Sequence, residues 1–161
     1  MFNKLSKDQA LQLLNKECFK RITVSFYKYV IIANPNELRD SLYSKWNNLG
    51  VLGRIYLAKE GINAQLSVPE NNLDDFVSHV LANKYFTDIR FKVAIEDDGK
   101  SFFKLTIKVR EKIVADGLSS NEYDVTNVGK HLTAKQWNDA IAEGATIVDM
   151  RNHYESEIGR F

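Results

Sequence analysis

The chain has 161 residues, 44% of them hydrophobic and 11% aromatic, which is enough to bury a core and too apolar for a disordered tail. Its net charge of +1 says little about partners, but residues 1–60 carry ten Lys or Arg against five Asp or Glu, and residues 61–100 carry four against seven, so one positive region is expected. A single cysteine, Cys18, excludes an internal disulfide and a multi-cysteine zinc site; together with the lack of any run of about 18 apolar residues or of a cleavable leader, it predicts a soluble cytoplasmic protein with no membrane partner.

Ser6 and Gln9 have the spacing of a capping box ahead of Ala10, Leu11, Leu13 and Leu14, which predicts a short first helix. Residues 22–32 (ITVSFYKYVII) are rich in β-branched and aromatic types and read as a long strand. Asn34, Pro35 and Glu37 then read as N-cap, first helical residue and N3 partner of a helix whose apolar face is Leu38, Leu42, Trp46 and Leu49, ended by Gly50. Strands follow at 51–58 and 62–68, joined by Lys59, Glu60 and Gly61 as a hairpin. In the second of them Ile62, Ala64, Leu66 and Val68 alternate with Asn63, Gln65 and Ser67. After Pro69, Leu73, Phe76, Val77, Val80 and Leu81 have the spacing of one helical stripe, and a strand near 90–95 completes a β-α-β-β-α-β order. That order predicts an α+β fold of ferredoxin-like, or acylphosphatase-like, type: an antiparallel sheet with helices on one face.

The turn 96–99 leads to a predicted strand over 101–114, expected to extend or cross the sheet, in which Phe103, Leu105, Ile107 and Val109 alternate with Lys104, Thr106, Lys108 and Arg110. Residues 1–115 are thus expected to form one domain and 116–130 a linker. Residues 131–161 begin another unit, with a Thr133–Gln136 capping box, a helix closed by Gly144 and a short strand at 146–148. One helix and one strand cannot enclose a core, so this last segment reads as the start of a domain whose remainder is missing.

Three groups of residues can carry function. Lys104, Lys108 and Arg110 share one side of their strand, where successive side chains at period two stand about 7 Å apart, and can follow a nucleic-acid backbone; the same row also fits a solvated basic face. Phe26, Tyr27, Lys28 and Tyr29, with Arg54 and Tyr56, mix rings that stack bases with cations that hold phosphates, although the rings equally suit core packing. The polar stretch Lys59, Glu60, Gly61, Asn63 and Gln65 offers a proton acceptor and paired donors and acceptors for a base edge, or else merely a turn in which Gly61 is left-handed. His79, His131 and His153 have no metal-ligand spacing and read as surface or capping residues, so no metal site is expected, and no P-loop, GxSxG or Rossmann fingerprint is present.

The stretches 25–29 (SFYKY), 53–69 (GRIYLAKEGINAQLSVP), 108–117 (KVREKIVADG) and 148–155 (VDMRNHYE) resemble the signature sequences of the rhodanese-domain tRNA uridine hydroxylases, over nearly the whole chain. The resemblance implies a full-length enzyme that uses molecular oxygen to convert the wobble uridine of certain tRNAs to 5-hydroxyuridine. It also implies that the last segment begins a covalently linked rhodanese-like α/β domain. The family's essential cysteine would lie beyond residue 161, so no catalytic residue is expected here, Cys18 inherits no role, and the chain alone is expected to be inactive. Asp149 and Arg151 match the family's Asp-x-Arg as a structural pair, whereas Gly159-Arg160 stands where the family has Gly-His. Within this resemblance, the charge and aromatic patterning assigns the anticodon arm of tRNA to Lys28, Arg54, Lys104, Lys108 and Arg110. Two other readings stay open: a rhodanese-type sulfurtransferase, and a non-catalytic RNA- or protein-binding regulatory module.

Overall fold

A computed structural model describes residues 5–95, 97–114, 117 and 122–159. Glu96 of the expected turn, Ala115 and Asp116 of the third resembling stretch, residues 118–121 of the expected linker and Arg160 lie outside the described residues. The chain divides into two compact units, one ending at Thr126 and the other starting at Asn127.

In the first unit, α1 (Lys7–Asn15) starts at Ser6, whose side chain and that of Gln9 cap each other's backbone as the sequence spacing requires. β1 (Arg21–Tyr29) leads to α2 (Pro35–Asn48), which begins with the Asn34 side chain accepting from Glu37 N–H. β2 (Leu52–Ala58) and β3 (Gly61–Pro69) form a hairpin with Lys59 and Glu60 at its tip. A 3₁₀ turn (Glu70–Asn72), α3 (Leu73–Leu81), β4 (Lys92–Val93) and β5 (Leu105–Val109) follow.

The strand order β4-β1-β3-β2-β5 contains the ferredoxin-like arrangement in its first four strands, all antiparallel. The expected purely antiparallel sheet is corrected by β5, which joins β2 in parallel. The cause is the route of the chain: the segment after β4 runs along one end of the sheet to its far edge, so β5 starts at the end where β2 starts. β5 is also shorter than the predicted 101–114. Its one neighbour, β2, spans Leu52–Ala58, and pairing stops with the bonds from Gly53 N–H to Lys104 C=O and from Arg110 N–H to Leu57 C=O. The predicted strand at 90–95 is reduced to the two residues of β4.

One sheet face packs on α2 and α3. Trp46, Phe76, Ile55, Leu57, Ile62 and Leu66 are fully buried there, and the Trp46 and Phe76 rings lie 5.3 Å apart. The Trp46 indole N–H donates to His79 Nδ1 at 3.2 Å, so His79 is a half-buried partner of the core and not the surface or capping residue expected. Burial, followed by the nearby Lys45, lowers its pKa and favours the neutral ring that can accept this bond. Arg21, only 5% exposed, pairs with Glu17 at 2.6 Å and donates to the Gly50 and Ser67 carbonyls, tying the end of the α1 segment to α2 and β3.

The second unit contains α4 (Ala134–Ala142), opened by the Thr133–Gln136 capping box, and α5 (His153–Ile158). The predicted strand at 146–148 is not formed among the described residues, where it has no neighbouring strand to pair with. Arg151 Nη2 lies 2.6 Å from Asp149 Oδ2 and also donates to the Gly159 carbonyl. These guanidinium hydrogen bonds hold the Asp149 carboxyl down to about 2. Because the folded value is depressed, the pair contributes above the ordinary carboxylate value of 3.8 and is lost as pH falls toward 2. An NMR titration should place Asp149 near 2, and Arg151→Gln should return it toward its ordinary range; an unshifted Asp149 in the unaltered chain would contradict the pairing.

Candidate nucleic-acid interface

Among the described residues of the first unit, α2 and α3 pack on one face of the sheet, and the side chains of the other face include the exposed Tyr27, Arg54, Gln65 and Lys108. Alternation along the strands places on this other face Ser25 and Tyr27 of β1, Asn63 and Gln65 of β3, Arg54 and Tyr56 of β2, Thr106 and Lys108 of β5, and Lys92 of β4. The register aligns them in two rows across the strands: Lys92, Ser25, Gln65, Arg54, Thr106, and beside it Tyr27, Asn63, Tyr56, Lys108. Lys104 and Arg110 continue the β5 positions at its two ends. No strand position on this face is a carboxylate, while Lys92, Arg54, Lys104, Lys108 and Arg110 are cationic and exposed.

Both ends of the face are covered. At one end the crossover from β4 lies over it: the fully buried Ser67 hydroxyl donates to the Gly99 carbonyl at 2.6 Å. At the other end the chain leaving β5 folds back, held by the hairpin tip. Glu60 accepts from Ile113 N–H at 2.7 Å and from the Tyr123 hydroxyl at 2.8 Å, and the Asn63 amide donates to the Ile113 carbonyl at 3.3 Å. Lys112 sits 4.5 Å from the Tyr123 ring centroid. Between these covers Tyr27 is 56% exposed, and the Arg110 guanidinium lies 5.9 Å from the ring centroid of half-buried Tyr56.

The structure therefore brings Tyr27, Arg54, Gln65, Lys104, Lys108 and Arg110 together. Asn63 shares their face, but its amide anchors the returning chain. Both oxygens of the Glu60 carboxylate are engaged, which fits a clamp better than a base reader or proton acceptor. Lys59 is exposed at the hairpin tip. Lys28 is on the opposite side: it is adjacent to Tyr27, so it points to the helix-bearing face, where it pairs with Asp88 and holds that carboxyl below its usual range. Lys92 was not evident from sequence, because only the β1–β4 register puts it beside Ser25. Among the described residues no group of His, Cys, Asp and Glu could hold a metal ion, and no helix is long and apolar enough to cross a membrane.

Residues 21–113, which include the whole sheet and the anchored Ile113, match the UPF0176 acylphosphatase-like domain. The chain belongs to the UPF0176 family. Its full length aligns with longer proteins. It is 54% identical over 162 residues to a tRNA uridine(34) hydroxylase of Leptospira interrogans, covering 100% of this chain and 44% of that protein. It is 49% identical over 163 residues to the tRNA uridine(34) hydroxylase of Yersinia enterocolitica, covering 100% of this chain and 47% of that one. This UPF0176 chain thus spans less than half the length of these curated relatives. Among solved structures it is similar to the dark-state BLUF protein BlrB, at 12% identity and a TM-score of 0.45 over 58% of this chain and 74% of that one.

Proposed function

We propose that this chain is the tRNA-binding part of a longer tRNA uridine hydroxylase, and that its open sheet face receives the anticodon arm. The observation that carries the reading is a face with five cations and no strand carboxylate, in a chain similar along its full length to proteins named for action on uridine 34 of tRNA. Lys and Arg in such an arrangement attract a polyanion through its phosphates and release its counterions. Molecular oxygen is the co-substrate of the proposed reaction, and its reacting cysteine belongs to a rhodanese domain following this chain, which itself supplies no catalytic residue.

The test uses a longer protein that contains this chain, unmodified tRNA and isotopically labelled oxygen. The label is expected in the wobble uridine. Hydroxylation without incorporation of label would remove oxygen as co-substrate. Sulfur transfer from thiosulfate with no hydroxylated tRNA would replace the reading with a sulfurtransferase.

A further inference from the structure

We infer that the open face is built for unpaired nucleotides lying across the strands, with one base stacked on the Tyr27 ring and phosphates held along two cationic rims. This rests on the tRNA-binding reading and narrows it from RNA in general to a single-stranded segment.

The placement of charge carries the argument. Lys92 lies at one edge of the sheet, while Lys104, Lys108 and Arg110 lie at the other, with Arg54 one strand inward. Between them Ser25, Tyr27, Asn63, Gln65 and Tyr56 form a floor without charge. A backbone tracking β5 alone would leave Lys92, Gln65 and Tyr27 without a role. A strand crossing the face obliquely, from Lys92 in one row to Tyr27, Asn63, Tyr56 and Lys108 in the other, meets a cation at each edge and uncharged groups in between. Five strands at roughly 4.8 Å spacing give about 19 Å, room for a few extended nucleotides.

The two tyrosines differ in a way that selects one of them. Tyr56 is half-buried and its ring is already faced by Arg110 at 5.9 Å, which fits a ring that steadies a phosphate-binding guanidinium. Tyr27 is 56% exposed, one strand from the Lys92 edge and opposite Asn63. An aromatic ring open to solvent on a sheet face whose strands carry no carboxylate, with the exposed Gln65 amide nearby to meet a base edge, is the arrangement that sheet-based readers use for splayed bases. In a duplex the base faces are stacked on one another and cannot reach this ring.

The test measures binding of the 161-residue chain to a labelled oligouridine and to a blunt RNA duplex with the same number of phosphates. Tyr27→Ala, Tyr27→Phe and Lys92→Ala are compared with the unaltered chain. The oligouridine is expected to bind more tightly than the duplex. Tyr27→Ala should weaken it about tenfold with no change in salt dependence, Tyr27→Phe should restore it, and Lys92→Ala should reduce the salt dependence. Equal binding of duplex and oligouridine, or a Tyr27→Ala variant that binds normally, would overturn the stacking seat while leaving tRNA binding in place. Failure of the chain to bind either probe or intact tRNA would remove the tRNA-binding reading itself, and this inference with it.

Discussion

Replacement of Lys104, Lys108 and Arg110 together by glutamine should lower tRNA affinity about a hundredfold at about 0.1 M salt. Each phosphate contact with single-stranded nucleic acid contributes a slope of about 0.7 in the logarithm of affinity against the logarithm of salt, so removing three contacts flattens that slope by about two and accounts for the loss. The three side chains stand on the rim of the sheet, where the core beneath is made by Leu105 and Ile107, so the fold should survive. Isothermal or anisotropy titrations at several salt concentrations read both quantities. Unchanged affinity and slope would remove this rim from the binding surface.

Gly61→Ala should cost about 4 kcal/mol of stability, at the upper end of single substitutions, and lower the melting temperature by about 15 °C. Gly61 opens β3 directly after the hairpin tip with φ of 150°, a conformation that side chains with a Cβ rarely adopt. An added Cβ would lie 2.0 Å from the Lys28 carbonyl oxygen, so β1 and β3 would have to separate at the hairpin end of their pairing. Its role is close backbone approach more than the left-handed turn suggested by sequence. Gly129→Ala is the control, because nothing lies within 4 Å of its added Cβ and its φ needs no glycine; it should fall within about 0.5 kcal/mol of the unaltered chain. Thermal melts that place the two variants together would contradict this account of Gly61.

What was legible in the sequence is local. The Ser6, Asn34 and Thr133 caps depend on residues three apart, and the structure forms all three. The alternation of Ile62, Ala64, Leu66 and Val68 with Asn63, Gln65 and Ser67 depends on period two, and it fixes which face of β3 is buried. What was missed depends on neighbours in space. Lys28 sits among the residues of the proposed interface in sequence, but the alternation that exposes Tyr27 turns Lys28 to the other face, toward Asp88. Lys92 joins the interface through pairing across 67 positions in the chain, from Ser25 to Lys92, that no local pattern reveals. Glu60 looked available for chemistry because the partners that occupy it, Ile113 and Tyr123, come from a segment far along the chain. Arg21, which lies just before the predicted strand at 22–32, is a buried fastener, because Glu17, Gly50 and Ser67 converge on it only after folding.

Equilibrium binding of unmodified tRNA by the 161-residue chain at two salt concentrations decides whether the open sheet face receives tRNA. Binding is expected at low salt, weakening steeply as salt rises and less steeply when the β5 rim is neutralised. No binding at either salt by the folded chain would contradict this reading and would place tRNA recognition outside these residues.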